Sequence, residues 1–214
     1  MAEIDHIVIG ARTLDEGAAY VASHLGARPV PGGQHLGIGT HNLLLGLGPD
    51  RYLEVIAADP SQPDPPHPRP FDLDDPATRM MLEAEPRLLG WVARTQALDA
   101  VVTRLGVHHA GAIRPWSRGN LSWRMAMPPQ NQDMSNLIPS LIQWDDGQGA
   151  APRLADQGIR LVALEAEHPD PDSVRHALAA RGLDDALRLR RSPHLRLLAR
   201  LTCADGREAV LASG

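Results

Sequence analysis

Ile4-Asp5-His6-Ile7-Val8-Ile9 opens the chain as a β-branched run carrying one acid and one histidine, and it reads as a strand. Thr13 then stands three residues before Glu16, a spacing that caps the start of a helix. Leu14, Ala18, Val21, Ala22 and Leu25 fall on one helical face, and Gly26 supplies the stop. His41 to Leu47 and Tyr52 to Ala57 follow as strands, joined by a turn at Gly48-Pro49-Asp50. Strand, helix, then strands that hairpin instead of alternating with further helices make a βαβββ unit.

The pattern recurs. Trp91 to Arg94 is a short strand, Thr95 is positioned as a helix cap, Leu98, Val101, Val102 and Leu105 form a stripe, and Gly106 ends it. Strands are expected over Ala112 to Arg114, Asn120 to Met127 and Leu141 to Trp144. A third pass begins at Ile159 to Leu164, continues through an Asp170-Pro171 helix start to a stop at Gly182, and closes with a hairpin about Asp205-Gly206. A doubly wound parallel sheet would alternate helices with single strands, so the pattern argues against one. The expected fold is α+β, with repeated βαβββ modules whose curved mixed sheets form a half-open barrel. The first module spans 1–58, a proline-rich connector with a short helix 59–87, the second module 88–146, a linker 147–156, and the third module 157–214. Residues 58–76 hold seven prolines, and 128–139 and 145–156 are rich in polar residues, so all three read as loops.

Composition narrows the function. Hydrophobic residues make up 43% of the 214, as in ordinary globular proteins. A formal charge of −5 offers no basic footprint for nucleic acid. No apolar run nears the roughly 18 residues of a membrane helix, and the acidic N-terminus passes straight into a strand pattern, so a cytoplasmic protein without a leader is expected. Cys203 is the one cysteine, which excludes an intrachain disulfide. The chain contains no lysine, which removes Schiff-base chemistry, and with it PLP, and also the P-loop lysine. Neither a nucleotide nor haem is expected.

Strand alternation places Ile4, His6 and Val8 on one face, and Tyr52, Glu54 and Ile56 on one face of the strand ending the first module. Ile7, Ile9, Leu53 and Val55 suit the helix, which leaves His6 and Glu54 in the concave cup. Such a pair serves metal ligation, acid–base work, or simply a hydrogen-bonded core. Gly32 to Asn42 adds His35, His41 and Asn42 among glycines that let backbone approach a ligand. Arg114, Arg118 and Arg124 cluster with Trp116, Trp123 and Trp144, apolar walls with guanidinium groups that suit a carbonyl or carboxylate compound.

The succession Asp5-His6-Ile7-Val8, Gly33-x-His35, Gly39-Thr40-His41-Asn42 and Tyr52-Leu53-Glu54 resembles the glyoxalase-like proteins of the vicinal oxygen chelate superfamily. Gly90-Trp91, Leu121 to Arg124 and Leu141 to Trp144 extend the resemblance. It implies paired modules around a small-molecule site, a homodimer, and a divalent ion (Zn, Fe, Mn or Ni) held by His6 and Glu54. The second module departs from the pattern: Trp91 stands where a ligand histidine is expected, and Leu141 to Trp144 holds no carboxylate. His35 or His41 could complete a set of two histidines and a carboxylate. The expected metal set is therefore His6, Glu54 and His41. Glu54 and His41 are the expected catalytic groups, with His35, Asn42, Arg114, Trp123, Arg124 and Trp144 binding substrate. Two functions fit: a metal-assisted lyase, isomerase or dioxygenase acting on a small carbonyl or vicinal-oxygen compound, and a metal-free protein that sequesters a small molecule in the same cup.

Overall fold

A computed structural model of the chain describes residues 2–129, 134 and 136–214. The loop expected over 128–139 lies partly outside these residues, as does Met1. The first unit runs β1 (Glu3–Gly10), α1 (Leu14–Leu25), β2 (Val30–His35), β3 (Thr40–Gly46) and β4 (Tyr52–Ala58). The second, after α2 (Pro76–Ala84), runs β5 (Arg87–Arg94), α3 (Leu98–Leu105), α4 (Val107–Ala110), β6 (Ile113–Arg118), β7 (Leu121–Ala126) and β8 (Ser140–Trp144). Beyond it come β9 (Arg160–His168), α5 (Pro171–Ala179), β10 (Arg188–Arg191), β11 (Arg196–Thr202) and β12 (Glu208–Ala212).

Helix α1 starts where its cap requires: Thr13 Oγ1 accepts the Glu16 N–H, and Gly26 closes the helix in the left-handed conformation at φ 71°. The cap is one-sided, because the Glu16 carboxylate turns to Arg12. Gly17 lets the helix press onto β4, since a methyl there would fall 2.3 Å from Val55 Cγ1. Thr13→Ala should lower the unfolding free energy by about 1 kcal/mol. A urea midpoint indistinguishable from wild type would show that the cap carries no such weight. Thr95 and Asp170 behave differently from expectation. Thr95 Oγ1 accepts from Ala97, the residue at the cap position two places further on, and the first free N–H of α3, at Leu98, donates instead to Gln143 of β8. Asp170 stands before Pro171 without a side-chain cap.

Strands β1 to β8 form one sheet in the order β2-β3-β4-β1-β5-β8-β7-β6. The two modules join through the antiparallel pair β1–β5, flanked by the parallel pairs β1–β4 and β5–β8. The outer strands β2 and β6 curl round until they lie side by side without pairing, which leaves a seam in a nearly closed barrel. Ile7, Ile9, Leu53 and Val55 face α1 in one apolar cluster with Val21 and Leu25. Val8, Tyr52 and Ile56 face inward in another, with Trp123, Met125 and Trp144. Trp91 belongs to the helix side, where its Nε1 donates to the Leu137 carbonyl.

The last stretch keeps the βαβββ order of elements with a different strand order, β10-β9-β11-β12, in a sheet of its own. Here the strand after the helix pairs directly with the strand before it. With neighbours on both sides, β9 has no edge with which to join another module as β1 joins β5. The sheet packs on the helix side of the barrel through Leu197, Ala199 and Leu211. No helix among the described residues is long and apolar enough to cross a membrane.

Candidate functional site

Alternation along β1 and β4 does bring His6 and Glu54 together inside the cup, both buried. His6 Nε2 lies 3.4 Å from Glu54 Oε2, and the ring stacks on Tyr52 at 4.4 Å. Asp5 is the member that alternation places wrongly. The β1–β5 register shifts between Ile4 and His6, and at this bulge Asp5 turns toward the same interior. Its carboxylate accepts from His6 Nδ1 at 2.7 Å and from Trp144 Nε1 at 2.9 Å. On the other side Asn42 Nδ2 donates to Glu54 at 2.5 Å and contacts His35 Nε2 at 3.3 Å, while His35 Nδ1 meets Thr40 Oγ1 at 2.9 Å.

These contacts set the charges. Burial alone would lower the His6 pKa, but its hydrogen bonds to Asp5 and Glu54, with their charges, push it up to about 9. Burial would raise Glu54, but hydrogen bonding and attraction to His6, with lesser help from Asn42, hold it down to about 2. Burial lowers His35 to about 4. The floor therefore carries an imidazolium between two carboxylates, beside a neutral imidazole.

Above the floor the enclosed cavity measures about 30 Å³ and opens outward into a concavity of about 410 Å³ that includes solvent. Trp116, Trp123 and Trp144 form one wall, with Trp123 and Trp144 centroids 5.0 Å apart. Arg118 reaches over the Trp123 ring at 5.9 Å. The proline-rich connector contributes Phe71, whose left-handed backbone (φ 56°) is unfavourable for a bulky side chain. Arg69 ties that connector down through Asp64, Asp74 and the Gly39 carbonyl.

Of the expected site residues, His6, Glu54, His35, Trp123 and Trp144 line this cup, and Asn42 braces Glu54 beneath it. His41 does not join them. The inward positions of β3 belong to Thr40, Asn42 and Leu44, so His41 faces a separate cleft, its Nδ1 3.9 Å from Asp59. Arg124 lies outside, paired with Asp99 of α3 at 2.7 Å, and Arg114 is exposed beyond the lining. Arg118 takes the place expected for them. Tyr52 lines the cup on the face that alternation shares with Glu54, and Asp5 and Phe71 complete the set that strand alternation alone misses.

Over residues 4–182 the sequence matches the glyoxalase-like domain. The chain belongs to that family. Among solved structures, a hypothetical protein from Staphylococcus aureus is 15% identical, with a TM-score of 0.63 over 91% of this chain and 88% of that one. Methylmalonyl-CoA epimerase from Mycobacterium tuberculosis is 19% identical over 66% of this chain and 86% of its own, with a TM-score of 0.40. A methylmalonyl-CoA epimerase in complex with methylmalonyl-CoA and NH4+ is 16% identical over 70% and 99%, with a TM-score of 0.47. At 15% identity the likeness to the Staphylococcus aureus protein is one of fold. No curated protein matches the chain.

The residues of this glyoxalase-like cup do not fit the divalent ion that its superfamily often binds. In the pairing of β5 with β8, Val92 stands opposite Ser140 as His6 stands opposite Tyr52, which puts Ile142 where Glu54 would be. Both second-module positions are apolar and face the cup, whereas Trp91, where the missing ligand was expected, points away. Both His6 nitrogens are already taken, Nδ1 by Asp5 at 2.7 Å and Nε2 by Glu54 at 3.4 Å. Among the described residues no group of three or more His, Cys, Asp or Glu is placed to hold a metal ion.

Proposed function

We propose that this glyoxalase-like chain binds a small, flat, largely apolar molecule in its cup, and that it does so without a metal ion. The three-tryptophan wall over a hydrogen-bonded polar floor is the observation that carries the reading. Aromatic walls with a few fixed polar groups are the usual make-up of a small-molecule site. The floor supports binding over acid–base turnover. The His6 nitrogens and the Glu54 carboxylate are engaged with each other and with Asp5 and Asn42, so they hold the floor together.

The tests are elemental analysis of untagged protein, and titration with 2-naphthoate and 2-naphthamide followed by tryptophan fluorescence and calorimetry. The expected results are substoichiometric zinc, iron, manganese and nickel, and saturable quenching by at least one probe. Trp123→Ala should weaken that binding about tenfold or more. Near-stoichiometric metal that disappears in both His6→Ala and Glu54→Ala would overturn this reading and favour the metal-assisted enzyme.

A further inference from the structure

We infer that Arg118 is an anion anchor, and that the ligand of the cup is an organic acid whose flat apolar body lies on the tryptophans while its carboxylate meets β6. The inference rests on the reading of the cup as a small-molecule site and narrows its ligand to a charge class.

Arg118 is half-buried at the seam between β6 and β2, and it lines the cup. Among the described residues it has no carboxylate partner and no hydrogen bond; its one specific contact is the Trp123 ring. Other arginines of the barrel do have counter-charges, Arg124 in Asp99 and Arg69 in Asp64 and Asp74. A guanidinium drawn partly out of water with no counter-charge is costly unless something supplies one. The floor does not supply it, because the Glu54 oxygens are engaged by Asn42 and His6.

The backbone of β2 is shaped to let the arginine reach in. Gly33, at φ 139°, lies directly under the Arg118 stem, and a methyl group there would fall 3.0 Å from both Cγ and Cδ. Any other residue would crowd the stem as well as strain the backbone. The stem rests against β2 at the seam while the guanidinium lies over the Trp123 ring of β7. Two residues earlier on the same face of β6, the Trp116 indole N–H is buried and has no acceptor among the described residues. A carboxylate on this wall would satisfy the guanidinium fork and the indole donor together, while the attached ring stacked on Trp116 and Trp123, whose centroids are 6.3 Å apart.

The test compares 2-naphthoate with 2-naphthamide, isosteres that differ in charge, by calorimetry on the full chain. Wild type should prefer the acid by about tenfold or more, the worth of a charge-assisted hydrogen bond. Arg118→Gln should bring the two affinities together by weakening the acid alone. Arg118→Lys should keep part of the preference, because the charge stays while the fork is lost. Arg124→Gln, which removes a charge from the outer face of β7, should leave the preference intact. Equal affinities in wild type, or a preference that survives Arg118→Gln, would overturn the anchor and leave the small-molecule site standing. Failure of both probes to bind would overturn the two together.

Discussion

His6→Leu is expected to destabilise the fold by about 3–5 kcal/mol, the usual consequence of removing one partner from a buried ionic group. The loss is large because His6 stands between two carboxylates. Asp5 is 2% exposed and Glu54 is 6% exposed, and both contact the same His6 ring. Without it, two buried anions face each other with only Trp144, Asn42 and Tyr52 as donors. Removing one of those anions as well should recover part of the loss. His6→Leu/Glu54→Leu is therefore predicted to be more stable than the sum of the single changes by more than about 1 kcal/mol, a coupling measurable as a double-mutant cycle in urea. A single-variant loss below 1 kcal/mol with simple additivity would show that the three residues do not act as one charged unit.

Stability should also peak close to pH 6.5 and fall on both sides. For His6 the folded pKa of about 9 lies above the ordinary 6.5, so its contribution is complete below pH 6.5 and is lost as pH rises toward 9. For His35 the folded value of about 4 lies below 6.5, so its contribution is complete above 6.5 and fades as pH falls toward 4. For Glu54, at about 2 against an ordinary 4.5, the contribution is complete above 4.5 and fades as pH falls toward 2. At about 1.4 kcal/mol per pH unit, the alkaline limb and the first acid limb are each worth roughly 3 kcal/mol. Urea midpoints from pH 4 to pH 9 would trace the curve. His35→Gln should flatten the stretch between pH 6.5 and 4.5, and His6→Gln the stretch above 6.5. A wild-type midpoint that holds steady or climbs from pH 6.5 to 9 would rule out the imidazolium.

Local signals in the sequence were enough for β1, α1, β3 and β4 of the first module: β1 is β-branched, its helix has a threonine cap and a glycine stop, and a period of two put His6 and Glu54 on one face. Strand β2 went unread, because Val30–His35 holds a proline and two glycines and no apolar alternation. What escaped depends on partners far along the chain. Asp5 turns inward because β5 imposes a bulge on β1, and nothing within residues 3–10 announces it. His41 and Asn42 are adjacent, and the choice between them follows from which residues of β3 stand over Glu54. Arginines occur on both faces of the β6–β7 hairpin, so the one that enters the cup is decided by the seam and by Gly33 opposite. Strand β10, an arginine-rich edge, has no apolar alternation to mark it, and its place beside β9 is a matter of which strand edges remain free.

The hydrogen bonds that run from Trp144 through Asp5, His6, Glu54, Asn42 and His35 to Thr40 visit five strands drawn from both modules. An all-apolar cup could settle into several alignments, since leucine and valine pack nearly as well one place along. Here a slip of a single residue in any of these strands rotates one link to the opposite face and strands its neighbours in a dry interior. The polar floor thus proofreads the assembly of the barrel: only one alignment of the modules lets every link close.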